Sequence, residues 1–496
     1  MLEVFFQNSS PKQTVVKNTF WLLTETVVNK LLKFFLIIWA ARILGAAGYG
    51  AFSFALSFAA TIFIFADLGI GSILIREYQK EQNRILVSTA LWLKLILSLI
   101  SILVGLVVLF FFKSVQARPI ILILLLMDFI LNFRDGFIAF ARARQKMEEE
   151  AFLIVLENIV VFLIGFLVLF FWPTALNFSL AYFAGALISF LAAFIVFQKR
   201  AKIFSRNFDP VLAKKILRLA WPFTFGSLIA VTLGSIDTLM LGLLKTAAVV
   251  GIYSAAIKIV YVLSVIPGII VGAIFPLISR FHQDEKVLLK IIREGNSALL
   301  LLALPLTLGG FLIGGRLIHF FLGSQYLASV LIFKVLIFLV PLIFLVSLWD
   351  SFLLAVNLQI KDFEYTAVAA ALNVILNFIL IPEFFGLGAA VAILISQFVN
   401  FVLTYRLTRA YFKKTFKQSG QTQVYIGLID FKLLAKYIFA TLVMTVFVFT
   451  LTLTRISSFV IIFLAIFIYF GALLLTREEF SLSFVSLVKR KFFSAR

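Results

Sequence analysis

Residues 85–112 read ILVSTALWLKLILSLISILVGLVVLFFF, and Lys94 is the only charge in that run. A bilayer core is crossed by roughly 20 apolar residues of helix. Lipid offers no partner to backbone N–H and C=O groups, so a run of this length must close its hydrogen bonds within itself, as a helix. Working outward in both directions, apolar run and polar punctuation alternate through the whole chain. The runs lie at 14–44, 49–75, 85–112, 119–143, 151–172, 175–198, 216–244, 248–278, 288–315, 326–356, 363–381, 386–410, 431–454 and 457–476. The expected fold is all-α transmembrane with fourteen helices.

Composition agrees. Of 496 residues, 63% are hydrophobic and 14% are charged, against roughly 45–50% and 25% in soluble chains. A net charge of +21 would suggest nucleic acid on a soluble protein. Here the basic residues sit in short connections between apolar runs, where they act as topology signals and meet anionic headgroups. The partners expected are therefore membrane lipids, with no nucleic acid.

The absence of cysteine excludes disulfides, thiolate metal sites and cysteine nucleophiles. No phosphate-binding Gly-x-x-x-x-Gly-Lys-Ser/Thr loop and no His-Glu-x-x-His motif occurs. His282 and His319 fall in different connections, on opposite sides of the membrane. The reading is a secondary transporter without a covalent catalytic site, a metal or a cofactor; coupling to a proton or sodium gradient stays open. The first eleven residues show no signal-peptide pattern, and Leu2–Gln7 resembles a protease-site scar.

The 44 Lys and Arg residues sort by side. Arg42, Lys113, Arg118, Lys245, Arg316 and Arg455 fall in or beside one set of connections; Lys30, Lys33, Lys94, Arg134, Lys258 and Lys334 lie within spans; all others lie at the termini, in the opposite connections or at the span ends that border them. Positive charge stays in the cytoplasm, which puts both termini there and the chain in the cell's cytoplasmic (inner) membrane. Long basic connections then divide it into a cytoplasmic segment at 1–13, a six-span N-lobe at 14–199, a linker at 200–215 and a six-span C-lobe at 216–412. A cytoplasmic loop at 413–430, a helical pair at 431–476 and a tail at 477–496 complete it.

The two lobes share a signature. Gly50-Ala51-Phe52-Ser53-Phe54-Ala55 opens span two and Gly251-Ile252-Tyr253-Ser254-Ala255-Ala256 opens span eight. Six spans is an even number, so both copies enter the membrane in the same sense. Their pseudo-twofold lies along the membrane normal, and parallel repeats of this kind place substrate between two lobes.

Charges within spans are expensive and face protein or water. Helical spacing groups them. Span one carries Asn18, Glu25, Asn29 and Lys33 in one stripe; span four carries Asp128, Asn132, Asp135 and Arg142; span eight carries Ser254, Lys258 and Tyr261. These are the candidate substrate-binding residues, and mixed charge with amides suits a large polar cargo. Glu25 with Lys33 reads equally as a self-neutralised pair, Lys94 and Glu157 as partners, and Arg142 with Arg144 and Lys146 as topology signals. Asp67 and Asp237 have no partner on their own faces. Pro267 and Pro341 are candidate hinges, since an interior proline removes a helical bond. No N-lobe span has an interior proline, so that lobe reads as the straight wall.

The stretch Ala41-Arg42-Ile43-Leu44-Gly45-Ala46-Ala47-Gly48-Tyr49-Gly50-Ala51-Phe52-Ser53-Phe54-Ala55 resembles the opening signature of the polysaccharide (O-unit type) flippase family. That family belongs to the multidrug/oligosaccharidyl-lipid/polysaccharide exporter superfamily. Ala66-Asp67-Leu68-Gly69-Ile70-Gly71 with Ile75-Arg76-Glu77 continues the likeness. Asn373, Asn377, Leu380-Ile381-Pro382 and Gly386-Leu387-Gly388-Ala389-Ala390 carry it into spans eleven and twelve.

The resemblance implies alternating access between two six-helix lobes. It implies an isoprenoid (undecaprenyl-type) diphosphate-linked oligosaccharide moved from the cytoplasmic to the outer leaflet for cell-surface polysaccharide assembly. It further implies a monomer that meets a polysaccharide polymerase or assembly machinery. The family's cationic wall maps onto Lys33, Arg142 and Lys30, with Lys258 from the second lobe. Arg42 and Arg76 become candidate gates or anchors. The extra pair at 431–476 departs from twelve-span members and keeps a lipid II (peptidoglycan precursor) flippase as an alternative. A cation-coupled multidrug exporter is the other.

Overall fold

The computed structural model describes residues 11–80, 83–111, 117–201, 208–418, 427–454 and 456–476. The expected scar at Leu2–Gln7, the tail 477–496 and the middles of the two long basic connections, 202–207 and 419–426, lie outside the described residues. The described chain contains no strand. Its helices are α1 (Pro11–Asp67), α2 (Ile70–Lys80), α3 (Arg84–Phe111), α4 (Arg118–Ala143), α5 (Met147–Phe171), α6 (Ala175–Ala201), α7 (Pro210–Leu244) and α8 (Ala247–Val262). They continue as α9 (Val265–Arg280), α10 (Glu285–Leu322), α11 (Ser329–Leu336), α12 (Leu339–Ala355), α13 (Gln359–Gln418), α14 (Phe431–Thr452) and α15 (Ser458–Leu475).

The helices give the fourteen expected passes. With 57 and 60 residues, α1 and α13 would each be about 85–90 Å long if straight, far more than one bilayer crossing. Each breaks near its middle, at Gly45 (φ 69°, ψ 174°) and at Phe385 (φ 53°, ψ −131°), and so supplies two passes. Conversely, α8 with α9 and α11 with α12 are halves of single passes. Helix α4 carries Asp128, Arg134 and Asp135 in its middle. That much charge does not face lipid, so α4 must be an inner helix.

Two expectations about bending meet the structure differently. Pro267 stands in the first turn of α9 and Pro341 in the first turn of α12, each just past a break in its pass. A first-turn proline loses no helical hydrogen bond, so it marks the restart of a helix. The straight N-lobe wall is corrected. The second pass breaks at Leu68 (φ 43°) and Gly69 (φ 73°), between α1 and α2. A Cβ on Gly69 would lie 2.5 Å from Phe223 Cβ, and Thr224 Oγ1 donates to the freed Leu68 carbonyl at 2.9 Å. Glycine makes this break, and a proline census does not detect it.

The repeat signature has a structural use. A Cβ on Gly50 would lie 1.7 Å from the Ala247 carbonyl oxygen, and one on Gly251 would lie 1.9 Å from that of Ala46. Residues 46 and 50 of one copy thus meet residues 251 and 247 of the other. The contact is reciprocal, with equivalent positions of the two signatures packed on each other.

By Cα packing, the described residues form two compact units, 1–258 with 370–389 and 259–369 with 390–496. This division passes through α8 and twice through α13, not through the basic connections. The first unit is centred on a core that includes Ile73, Leu86, Phe137, Phe197 and Ala220, with the Phe137 and Phe197 rings stacked 5.6 Å apart. The second is centred on buried Trp349, whose Nε1 donates to Asn296 Oδ1 at 3.1 Å. The C-terminal pair α14–α15 belongs to that unit. Tyr469 donates to the Leu301 carbonyl of α10, and Arg316 of α10 donates to the carbonyls of Thr452, Thr454 and Ile456.

Candidate substrate site

The first unit carries an open cavity of about 500 Å³. Asp128, Asn132, Asp135 and Arg142, the stripe expected on α4, all line it, together with Asp67, Lys94 and Arg134. The stripe of α1 does not.

Most charges around the cavity are neutralised by protein. Lys94, 2% exposed, spends its three protons on the Asp67 carboxylate, Asn132 Oδ1 (2.8 Å) and the Asn132 carbonyl (3.2 Å). Asn132 Nδ2 donates to Ser98 Oγ at 2.6 Å. Arg134 donates to the Glu157 carboxylate, to Asp135 Oδ1 at 2.7 and 3.0 Å, and to Ser189 Oγ at 3.3 Å. The break at Leu68–Gly69 ends α1 at Asp67, where its carboxylate reaches Lys94. The expected Lys94–Glu157 pair is therefore corrected: each has a partner, but a different one.

The acidic run at the start of α5 is fully used. Glu148 accepts from Lys17 at 2.8 Å, Glu149 from Arg144, and Glu150 from Arg142 through a two-point fork. Glu150 is 0% exposed, whereas the Arg142 side chain is 46% exposed and lines the cavity. Arg142 thus anchors a buried carboxylate and presents its outer edge to the cavity.

A second group of polar atoms is left over. Asn18 Oδ1, Glu25 Oε2, Asn29 Oδ1 and Asp128 Oδ2 are buried and have no hydrogen-bond partner among the described residues. Neither Lys33 nor Lys258 forms an ion pair within 4.0 Å among the described residues. Glu25 is within electrostatic reach of Lys33, but the pair does not close as a salt bridge. Lys258 lies within electrostatic reach of Lys33, which is itself within reach of Glu157, Arg134 and Glu25. Cations that no carboxylate neutralises at contact distance suit an anion.

The remaining candidates lie apart. Tyr261 is in the second unit, where its carbonyl accepts from Ser264 at the break between α8 and α9. Arg42 is exposed ahead of the Gly45 break. Arg76 is exposed beside Glu77, 3.1 Å away. Asp237, unpaired by sequence, accepts from Tyr253 at 2.7 Å and from Asn377 at 2.6 Å. That bond could not be read from periodicity, because Asn377 is far away in the chain.

Fold and site together define a polytopic α-helical membrane protein with a polar, charge-lined interior. The chain belongs to the polysaccharide biosynthesis protein family, whose model matches residues 15–282, more than half of its length. The chain is 28% identical over 177 residues to the probable flippase AglR of Haloferax volcanii, a match over 34% of this chain and only 37% of AglR. It is 24% identical to the capsular polysaccharide biosynthesis protein CapF of Staphylococcus aureus, over 79% of this chain and 98% of CapF. In fold it is similar to the lipid II flippase MurJ in an inward closed conformation, with TM-score 0.72, 15% identity and coverage of 95% and 99% of the two chains. An inward-facing multidrug resistance MATE transporter gives TM-score 0.63, 17% identity and 79% and 96% coverage.

Proposed function

We propose that this protein is a flippase that carries an isoprenoid-diphosphate-linked oligosaccharide across the cytoplasmic membrane, for cell-surface polysaccharide assembly. The observation that carries the reading is that Lys33 and Lys258, two cations within helices, form no ion pair within 4.0 Å among the described residues. A diphosphate is the anion such cations hold best, because each charge-assisted hydrogen bond contributes about 1.5–3 kcal/mol. The unpartnered oxygens of Asn18, Glu25, Asn29 and Asp128 are acceptors for sugar hydroxyls. Family membership and the flippase named among its relatives support the same direction of thought. The cargo crosses by alternating access, with both termini in the cytoplasm and the protein acting as a monomer.

Lipid II is the second reading, favoured by the MurJ-like fold over 95% of the chain. It has the same diphosphate and a different head. Proteoliposomes loaded with labelled isoprenoid-diphosphate glycans or with lipid II distinguish the two, alongside complementation of strains lacking each flippase. The expected outcome is translocation of the glycan lipid and not of lipid II. Drug efflux without movement of either lipid would overturn both.

A further inference from the structure

The second unit buries two carboxylates, Asp350 and Asp362, with oxygens that have no hydrogen-bond partner among the described residues. Asp350 lies near the end of α12 and Asp362 in the first turn of α13. The two repel each other electrostatically. The far arm of α13 runs beside them. Thr366 Oγ1 lies 3.4 Å from Asn400 Oδ1. In an antiparallel pair one turn further along, Asp362 comes level with Thr404, and another turn brings Gln359 near Thr408. Asp362 and Thr404 are near enough to interact.

Five oxygens of this cluster are buried with no hydrogen-bond partner among the described residues: Asp350 Oδ1, Gln359 Oε1, Asp362 Oδ1, Thr404 Oγ1 and Thr408 Oγ1. Asp362 is 7% exposed, and Thr404 and Thr408 are 0% exposed. No Lys, Arg or His of the described residues pairs with either carboxylate within 4.0 Å. The threonines are telling. Thr307, Thr415, Thr441 and Thr445 each donate to the carbonyl four residues back, the usual retreat of a helical hydroxyl. Thr404 and Thr408 do not.

A buried pair of carboxylates with no cationic partner needs a counter-charge. One proton would satisfy one oxygen, whereas a metal ion satisfies several at once. The donor set is all oxygen, with two carboxylates, two hydroxyls and an amide, which is the chemistry of hard cations. We infer that Asp350, Asp362, Thr404 and Thr408, with Gln359 at the margin, bind a dehydrated hard cation of the sodium or calcium class.

The test uses the purified full chain in detergent. Its thermal midpoint is followed as chlorides of sodium, potassium, calcium or magnesium replace choline chloride at fixed ionic strength. A bound ion raises the midpoint saturably, and the responding salt tells sodium from calcium. Asp362→Asn, and separately the isosteric pair Thr404→Val with Thr408→Val, should weaken the apparent affinity roughly tenfold or more. Glu294→Gln, in an exposed ion pair with Lys290, should leave it unchanged. The inference is overturned if no salt differs from choline, if the shift survives the threonine pair, or if Glu294→Gln abolishes it too. The readout needs no transport, so its failure says nothing against the flippase reading.

Discussion

Two sets of charge within helices share the first unit and are treated in opposite ways. Around α4, Lys94, Arg134 and Arg142 each meet carboxylates of the same unit. On α1 and α8, Lys33 and Lys258 meet no carboxylate within ion-pair distance among the described residues. Both sets look alike in sequence: isolated basic residues in apolar helices. The difference teaches that intramembrane charge is of two kinds here. One kind fastens helices together, and the other is left for a ligand. The two kinds should respond to substitution in opposite currencies, stability for the first and transport for the second.

The largest effect is expected at Arg134. Arg134→Ala strands Asp135 and Glu157, and breaking a buried pair costs about 3–5 kcal/mol. Membrane abundance and the thermal midpoint should both fall sharply. Arg134→Lys should recover only part of the loss, since an ammonium cannot reproduce the guanidinium fork. Near-normal abundance of Arg134→Ala would remove the fastening role.

Next comes the unpaired set. Lys33→Ala and Lys258→Ala should leave the thermal midpoint nearly unchanged, because neither side chain closes an ion pair among the described residues. Translocation of a diphosphate-linked glycan should fall roughly tenfold or more, the loss of a charge-assisted hydrogen bond. Loss of abundance without a specific transport defect would merge the two sets and break the comparison.

Close behind stands the crossing at Gly50 and Gly251. Gly50→Ala and Gly251→Ala each force a methyl into a backbone carbonyl, an overpacking that costs about 1–3 kcal/mol. The reciprocal geometry predicts similar losses of thermal midpoint for the two. Unequal losses would show that the repeat is not used symmetrically.

How much of this was legible in the sequence depends on range. The stripe Asp128, Asn132, Asp135 and Arg142 was legible because helical periodicity is local, and all four line one cavity. The fourteen passes were legible because lipid dictates run length. The repeat was legible at Gly50 and Gly251, although nothing in the run announced that the two glycines touch. Pairing was not legible. Lys94 meets Asp67 only because the chain turns at Leu68 with a positive φ, and hydropathy does not record a backbone angle. Asp237 finds Asn377 140 residues away. The break at Gly69 had a signal, a glycine two residues after an aspartate inside a span, with no proline beside it.

The smallest effect is expected at Arg76, and it tests the boundary of the comparison. Arg76 is the exposed cation of the family signature, standing 3.1 Å from Glu77, which also accepts from Lys80 at 2.9 Å. Arg76→Ala leaves Glu77 with Lys80, and an exposed pair contributes only about 0–1 kcal/mol. Thermal midpoint and transport should both stay within error of the parent protein. An anchoring cation at the membrane face has neighbours that share its work, whereas a gate does not. If Arg76→Ala keeps its abundance but stops transport, exposed cations of the signature join Lys33 and Lys258 as working charges. The division between fastening and ligand-binding charge would then have to be drawn by location along the transport path, and not by the presence of a partner.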